Sequence, residues 1–430
     1  MGTLARMRQL DPSQRRARNV IAVGGAIAAL LVIVGLAWPD RSATPWTRTG
    51  PTIGLSGWLA YWQVDAGLTS FAAQRGLFDD VSIMAYSAQG ADTIVAYPGL
   101  PSYAIGDLRS AAGAAGVPVL ATIFDEMPAG AMAGVLADPT TRAAHVAAIL
   151  RIVQDGGFGG VDLDYERFAF SDDRGTWSAT QPNWVAFLTE LAAALHRDGH
   201  LLVVSVPPIY DDGSPADSGA WVYDYAAMGT IVDRIRVMAY DYSTSDPGPI
   251  APIGWVTSLV HAIAKIVPPA KLDLGIPVYG RDWPVSTTGT CPADQTPSTT
   301  SISTVEAAAF LTSRALSPTW DADAAEMRVD YTDTLIGNDA SGVATSCTVS
   351  RTLRYLDANA VQARARLAWR NDFHGVALWA LGNDDAATWA GLQAARAGLE
   401  PVIAQPSQSV PGQSQPGQGV PGQSVVTSTS

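Results

Sequence analysis

Eight short apolar runs, separated for the most part by helix-length stretches, set the tightest limit on how this 430-residue chain folds. They are Gly57–Trp62, Val81–Ser87, Val117–Ile123, Val161–Glu166, Leu201–Val206, Ile235–Tyr240, Leu272–Tyr279 and Val376–Leu381. Most are rich in Val, Ile, Leu or aromatic residues and bounded by Gly, Pro or Asp, the pattern of buried strands. Thr140–Gln154, Asn183–His196, Pro252–Val267 and Leu353–Arg370 read as helices between them. Alternating β and α elements require a parallel sheet. Eight such units in one domain favour a closed (β/α)8 TIM barrel over an open sheet. No Gly-x-Gly-x-x-Gly follows the first run, which leaves a dinucleotide-binding sheet without support.

The last interval breaks the rhythm. Leu272 and Val376 are 104 residues apart, and the surplus holds both cysteines and a further strand-like run at Met327–Tyr331. Residues 282–350 are therefore expected to form an insertion between the seventh and eighth strands. On a barrel that connection lies at the C-terminal face, where it would wall one side of a cleft. Cys291 and Cys347 are the only cysteines. Without CxxC spacing, and outside the membrane, they read as a disulfide rather than a metal site, the alternative being two buried thiols.

The ends do not read as fold. Residues 1–19 are basic, with Arg6, Arg8, Arg15, Arg16 and Arg18 ahead of an uncharged, mostly apolar run over residues 20–38. Such a run spans roughly the 30 Å hydrocarbon core of a bilayer. The basic cluster would hold its own side in the cytoplasm and place everything after Pro39 outside. A single-pass anchor, a cleaved signal peptide and a buried core helix are the three readings. Residues 39–51 would be a linker, 52–398 the barrel, and 399–430 a disordered tail with proline at every fifth position from 401 to 421.

Charge narrows the partners. Residues 51–400 carry 20 basic and 38 acidic side chains. A domain this acidic is unsuited to nucleic acid, whose phosphates need Lys and Arg. Membrane contact is expected only through the N-terminal span. We expect a monomer, and no metal or organic cofactor is implied.

The chemistry concentrates in Gly159-Gly160-Val161-Asp162-Leu163-Asp164-Tyr165-Glu166. Alternate side chains of a strand share a face, so Asp162, Asp164 and Glu166 are expected to point together toward the barrel mouth. Three neighbouring carboxylates do not all ionise cheaply, and one kept protonated near neutral pH is what a general acid requires. A Ca²⁺ loop would need a twelve-residue spacing with a central Gly, and Mg²⁺ chemistry would need a phosphate cradle; neither is present. Thirteen Trp suit flat sugar rings. Trp58, Tyr61, Tyr86, Tyr210, Tyr240, Trp283 and Trp379 fall near expected strand ends as stacking surfaces.

The acidic segment resembles the D-G-x-D-x-D-x-E motif of glycoside hydrolase family 18, the chitinase family. Met238-Ala239-Tyr240-Asp241 is similar to its M-x-Y-D element, Gly275–Gly280 to its seventh strand, and Gly375–Trp379 to its eighth. The likeness runs over about residues 52–398. Gly159 stands where the motif has Asp, Tyr165 where Trp is common, and the third strand lacks the S-x-G-G element. Those departures point toward the bacterial branch of spore-germination and cell-wall hydrolases, hence peptidoglycan or another N-acetylglucosamine glycan.

The resemblance implies a retaining, substrate-assisted glycosidase. Glu166 would protonate the leaving oxygen while the substrate's 2-acetamido oxygen attacks the anomeric carbon. Asp164 would orient the acetamido group, and Asp162 would share a proton with Asp164. Tyr240 would hydrogen-bond the acetamido oxygen, with Asp241 and Met238 beside the sugar and Trp379 as its floor. The competing reading is a barrel that binds glycans without cleaving them. Non-catalytic relatives typically lose the catalytic Glu, and Glu166 is present.

Overall fold

The computed structural model describes residues 53–209 and 218–399. The strands are β1 (Gly54–Leu59), β2 (Val81–Ala88), β3 (Ile94–Ala96), β4 (Val119–Asp125), β5 (Gly160–Asp164), β6 (Leu201–Val206), β7 (Arg234–Val237) and β8 (Leu272–Pro277). They continue with β9 (Tyr279–Gly289), β10 (Thr300–Ser303), β11 (Thr319–Asp321), β12 (Glu326–Asn338), β13 (Ala344–Tyr355) and β14 (Gly375–Trp379). The helices begin with α1 (Val64–Gln74), α2 (Ala104–Gly113), α3 (Ala131–Ala137), α4 (Pro139–Gly156), α5 (Arg167–Phe170) and α6 (Trp177–Arg197). After them come α7 (Tyr225–Ile231), α8 (Ile253–Ile263), α9 (Thr304–Ser313), α10 (Ala358–Arg370) and α11 (Ala386–Arg396).

Strands β1, β2, β4, β5, β6, β7, β8 and β14 pair in that order, all parallel, and β14 returns to β1. The expected (β/α)8 barrel is therefore the fold. Its two strand faces differ sharply in chemistry. Leu55, Ile83, Ile123, Val161, Leu163, Val204, Ile235 and Leu274 pack outward into the helix layer. The opposite face carries Ser82, Asp162, Ser205, Arg236 and Asp273, all buried. Hydrogen bonds between β7 and β2, and between β7 and β5, show that this face fills the barrel interior. Barrel interiors are usually packed with branched apolar side chains. This one is polar through its middle.

Residues 279–355 form a second, antiparallel sheet in the order β10-β9-β13-β12-β11, with its own small core around Val329, Leu353 and Tyr355. The insertion is thus wider than residues 282–350, because only Val278 separates the end of β8 from the start of β9. Cys291 and Cys347 are disulfide-bonded across it. Leu353–Arg370 is not one helix. Leu353–Tyr355 ends β13, and the Asp357 side chain caps α10 by accepting from Ala360 N. Several strands stop short of their expected ends, β5 at Asp164 and β7 at Val237, because the chain leaves the sheet at the barrel mouth.

The expected cytoplasmic segment, membrane span, linker, nearly all of the tail, and Tyr210 lie outside the described residues. Among the described residues no helix is long and apolar enough to cross a membrane.

Candidate active site

A cavity of about 770 Å³ opens at the C-terminal mouth of the barrel. Asp164 and Glu166 line it, while Asp162 is fully buried beneath them. The period-two argument holds for the two aspartates. Asp164 is the last paired residue of β5, and Glu166 already has helical backbone angles at the start of α5. Glu166 reaches the cavity because the chain bends over the mouth, not because it continues the strand.

The Asp164 and Glu166 side chains hydrogen-bond each other. Burial, then the charges of Glu166 and Asp162, hold the Asp164 carboxyl well above the usual range. Burial also raises Glu166; its bond with Asp164 opposes this and the charge of Asp241 adds to it. A carboxyl pair of this kind gives up its protons reluctantly. Asp162 accepts from Trp58 Nε1 at 2.8 Å, Arg236 Nη1 at 2.8 Å and Ser205 Oγ at 2.7 Å.

Trp379, Tyr240 and Met238 join the acids around the cavity. The Trp379 and Tyr240 rings lie 6.4 Å apart at 15°, and Trp58 meets Trp379 edge-on at 5.7 Å. Burial first, and then Tyr279, Asp164 and Glu166, push the Tyr240 phenol well above its ordinary range, so it stays a hydrogen donor. Asp241 accepts from Tyr279 Oη and from Arg281 Nη2, the latter at 2.6 Å.

Not every expected residue belongs here. Tyr86 is not among the cavity residues. A register shift between Met84 and Tyr86 reverses the alternation of β2, so the ring packs outward, 6.0 Å from Phe158. Trp283 is buried behind the site and donates to the carbonyl of Thr244. Tyr61 lines a separate hollow with Trp62. Conversely, Phe170, Tyr242 and Trp255 line the cavity unforeseen. Tyr242 follows Tyr240 by two residues, a spacing that could have revealed it.

The insertion does not line this cavity, contrary to expectation. One wall is the loop after β7, which supplies Asp241, Tyr242 and Thr244. The insertion braces that loop from behind. Tyr279 and Arg281 hold Asp241, Trp283 holds Thr244, and Glu326 accepts from Ile250 N and Ala251 N. Among the described residues no cluster of His, Cys, Asp and Glu is arranged to hold a metal ion.

Comparison with known proteins places this geometry. A putative sporulation-specific glycosylase of Bacillus subtilis, YdhD, is 34% identical over 151 residues, which are 35% of this chain and 33% of YdhD. The cortical fragment-lytic enzyme of the same organism is 25% identical over 259 residues, 59% of this chain and 53% of the relative. The chain thus spans no more than about half the length of these two relatives. A chitinase structure from Chromobacterium violaceum shares the fold with a TM-score of 0.65 at 24% identity, covering 80% of this chain and 98% of that one. The sequence description of glycosyl hydrolases family 18 matches residues 129–384, more than half of the chain and all of the acidic strand, Tyr240 and Trp379. The chain belongs to glycosyl hydrolases family 18.

Proposed function

We propose that this chain is an extracytoplasmic glycosidase that hydrolyses β-linked N-acetylglucosamine-containing glycans, chitin-like or peptidoglycan, with retention and by substrate assistance. One observation carries the reading. Among the described residues three carboxyl side chains line the cavity: Asp164 and Glu166 are bound to each other, and Asp241 is held by Tyr279 and Arg281. Among the described residues no further carboxylate lines the cavity to act as a nucleophile, which leaves that part to the substrate's 2-acetamido oxygen.

Glu166 gives its proton to the leaving oxygen as the acetamido oxygen closes on the anomeric carbon. The pair shares one proton, so with that proton on Glu166 the Asp164 carboxylate is ionised and faces the acetamido N–H and the positive ring that forms. Tyr240 donates to the acetamido oxygen, and Trp379 supports the apolar sugar face. Water then attacks the anomeric carbon, the acetamido group is released, and the water's proton returns to Glu166. The relatives' names, a sporulation glycosylase and a cortical fragment-lytic enzyme, favour a cell-wall glycan.

Glu166→Gln keeps the shape and removes the acid, so kcat should fall by about 10²–10⁴ while glycan binding persists. A β-glucan without acetamido groups should not turn over. Near-normal hydrolysis by the variant, or efficient cleavage of plain glucan, overturns the proposal.

A further inference from the structure

Tyr165 sits in the chain between the two carboxyls of the site, where the family motif commonly has Trp. It is fully buried and packs into the helix layer, its ring 6.2 Å from Trp184 and 6.3 Å from Phe187 of α6. Glu166 lies beyond the last paired residue of β5, so its placement depends on what fixes the residue before it. Both ends of Tyr165 are tied. Its phenol is 2.7 Å from Nε2 of His145 on α4, and its carbonyl accepts from Tyr223 Oη at 2.6 Å. That carbonyl belongs to the planar peptide whose nitrogen is that of Glu166, so holding its oxygen sets where the Glu166 backbone starts. On the other side of Glu166, Arg167 Nε donates to the Asp125 carbonyl at 3.1 Å.

The partners of His145 fix its tautomer. Nδ1 lies 3.0 Å from the carbonyl of Ala91, in the turn between β2 and β3. A carbonyl only accepts, so Nδ1 carries the hydrogen and Nε2 is left as the acceptor for the Tyr165 hydroxyl. Burial holds the imidazole down at about 4, which keeps it neutral near neutral pH. Burial first, and then the charge of Asp125, raise the Tyr165 phenol, so it stays a donor. Two hydrogen bonds in series thus run from the β2–β3 turn, through α4, to the residue before Glu166.

We propose that His145 and Tyr165 are positioning residues for the general acid: the imidazole anchors the phenol, and the phenol holds Glu166 where its proton meets the leaving oxygen. This rests on the reading of Glu166 as that acid. Neither side chain is among those lining the cavity, so both act through the backbone of Glu166 and not on the glycan. Proton transfer needs the acid within hydrogen-bond reach of the leaving oxygen, and a small displacement spoils it. The cost depends on the leaving group. A sugar leaves as a poor alkoxide unless it is protonated, whereas a dinitrophenolate departs without a proton. Plain loss of packing would slow both by the same factor.

The test uses the full chain and two substrates, an N-acetylglucosamine oligosaccharide and a dinitrophenyl glycoside of the same sugar. The readout is kcat/KM, which reports the step in which the leaving group departs. Tyr165→Phe should lower it about tenfold on the oligosaccharide and by less than about twofold on the dinitrophenyl glycoside. His145→Gln carries an amide oxygen that can replace Nε2 as acceptor, and it should keep most of the oligosaccharide rate. His145→Asn reaches only toward Ala91 and should lose as much as Tyr165→Phe. Combining His145→Asn with Tyr165→Phe should cost no more than either alone. Equal losses on the two substrates, or losses that multiply in the double variant, would make the pair ordinary core and overturn the proposal. If Tyr165→Phe does not fold, His145→Gln against His145→Asn decides it on the same substrates. A wild type that cleaves neither substrate overturns the enzymatic reading, and this inference with it.

Discussion

Asp164 shows how a carboxyl in the proposed active site makes stability depend on pH. Its proton affinity is raised in the folded chain by burial and by two acidic neighbours. The folded state therefore binds its proton more tightly than the unfolded state does. That term is fully present below the ordinary aspartate range and is lost as pH rises through the raised folded value. Asparagine carries no such term. Relative to wild type, the melting temperature of Asp164→Asn should therefore rise steadily as pH increases from about 4 to 8. A pH-independent difference would contradict the raised proton affinity. The residues themselves were partly legible. Alternation revealed Asp162 and Asp164, and motif spacing revealed Tyr240 and Trp379. Tyr86 was misplaced because a register shift near Ala85 leaves no mark in the sequence. Arg236 was passed over because an arginine in a short apolar run reads as an exposed break, not as a buried ion-pair centre.

Strand and helix order was more legible than strand and helix length. Each of the eight barrel strands lies on one of the eight apolar runs, since a parallel strand covered on both sides must be apolar on one face at least. Ends were misjudged where apolar composition runs on past the last paired residue, as at Ile235–Tyr240. The α10 start was readable from Asp357, which caps it, but the apolar character of Leu353 and Leu356 obscured the break. The insertion acts as an element in its own right, and its grip on the loop after β7 can be tested at one bond. Trp283→Phe keeps the ring and deletes the donor to Thr244. A hydrogen bond of this kind is worth about 1 kcal/mol, so KM should rise about fivefold while kcat changes little. Equal loss in kcat would place Trp283 in the chemistry instead.

At the scale of the whole molecule, the acidic barrel, the disulfide and the basic-then-apolar N-terminus all fit a catalytic domain outside the cell. Protease added to intact cells should remove the barrel, or the barrel should be found in the medium. A protected, cell-retained chain would contradict both forms of the proposal. The fold class and the family were legible because four separated motifs converge on one barrel mouth. The brace behind the mouth was not, because it depends on contacts between residues such as Thr244 and Trp283, or Ile250 and Glu326, that no local pattern announces. That brace has a consequence for the shape of the opening. The cavity wall is pinned near its start at Asp241 and again at Ile250 and Ala251, by a sheet that is itself stapled by Cys291 and Cys347. A panel fixed along two edges does not swing. On that side the outline of the opening is set by a sheet that does not itself line the cavity.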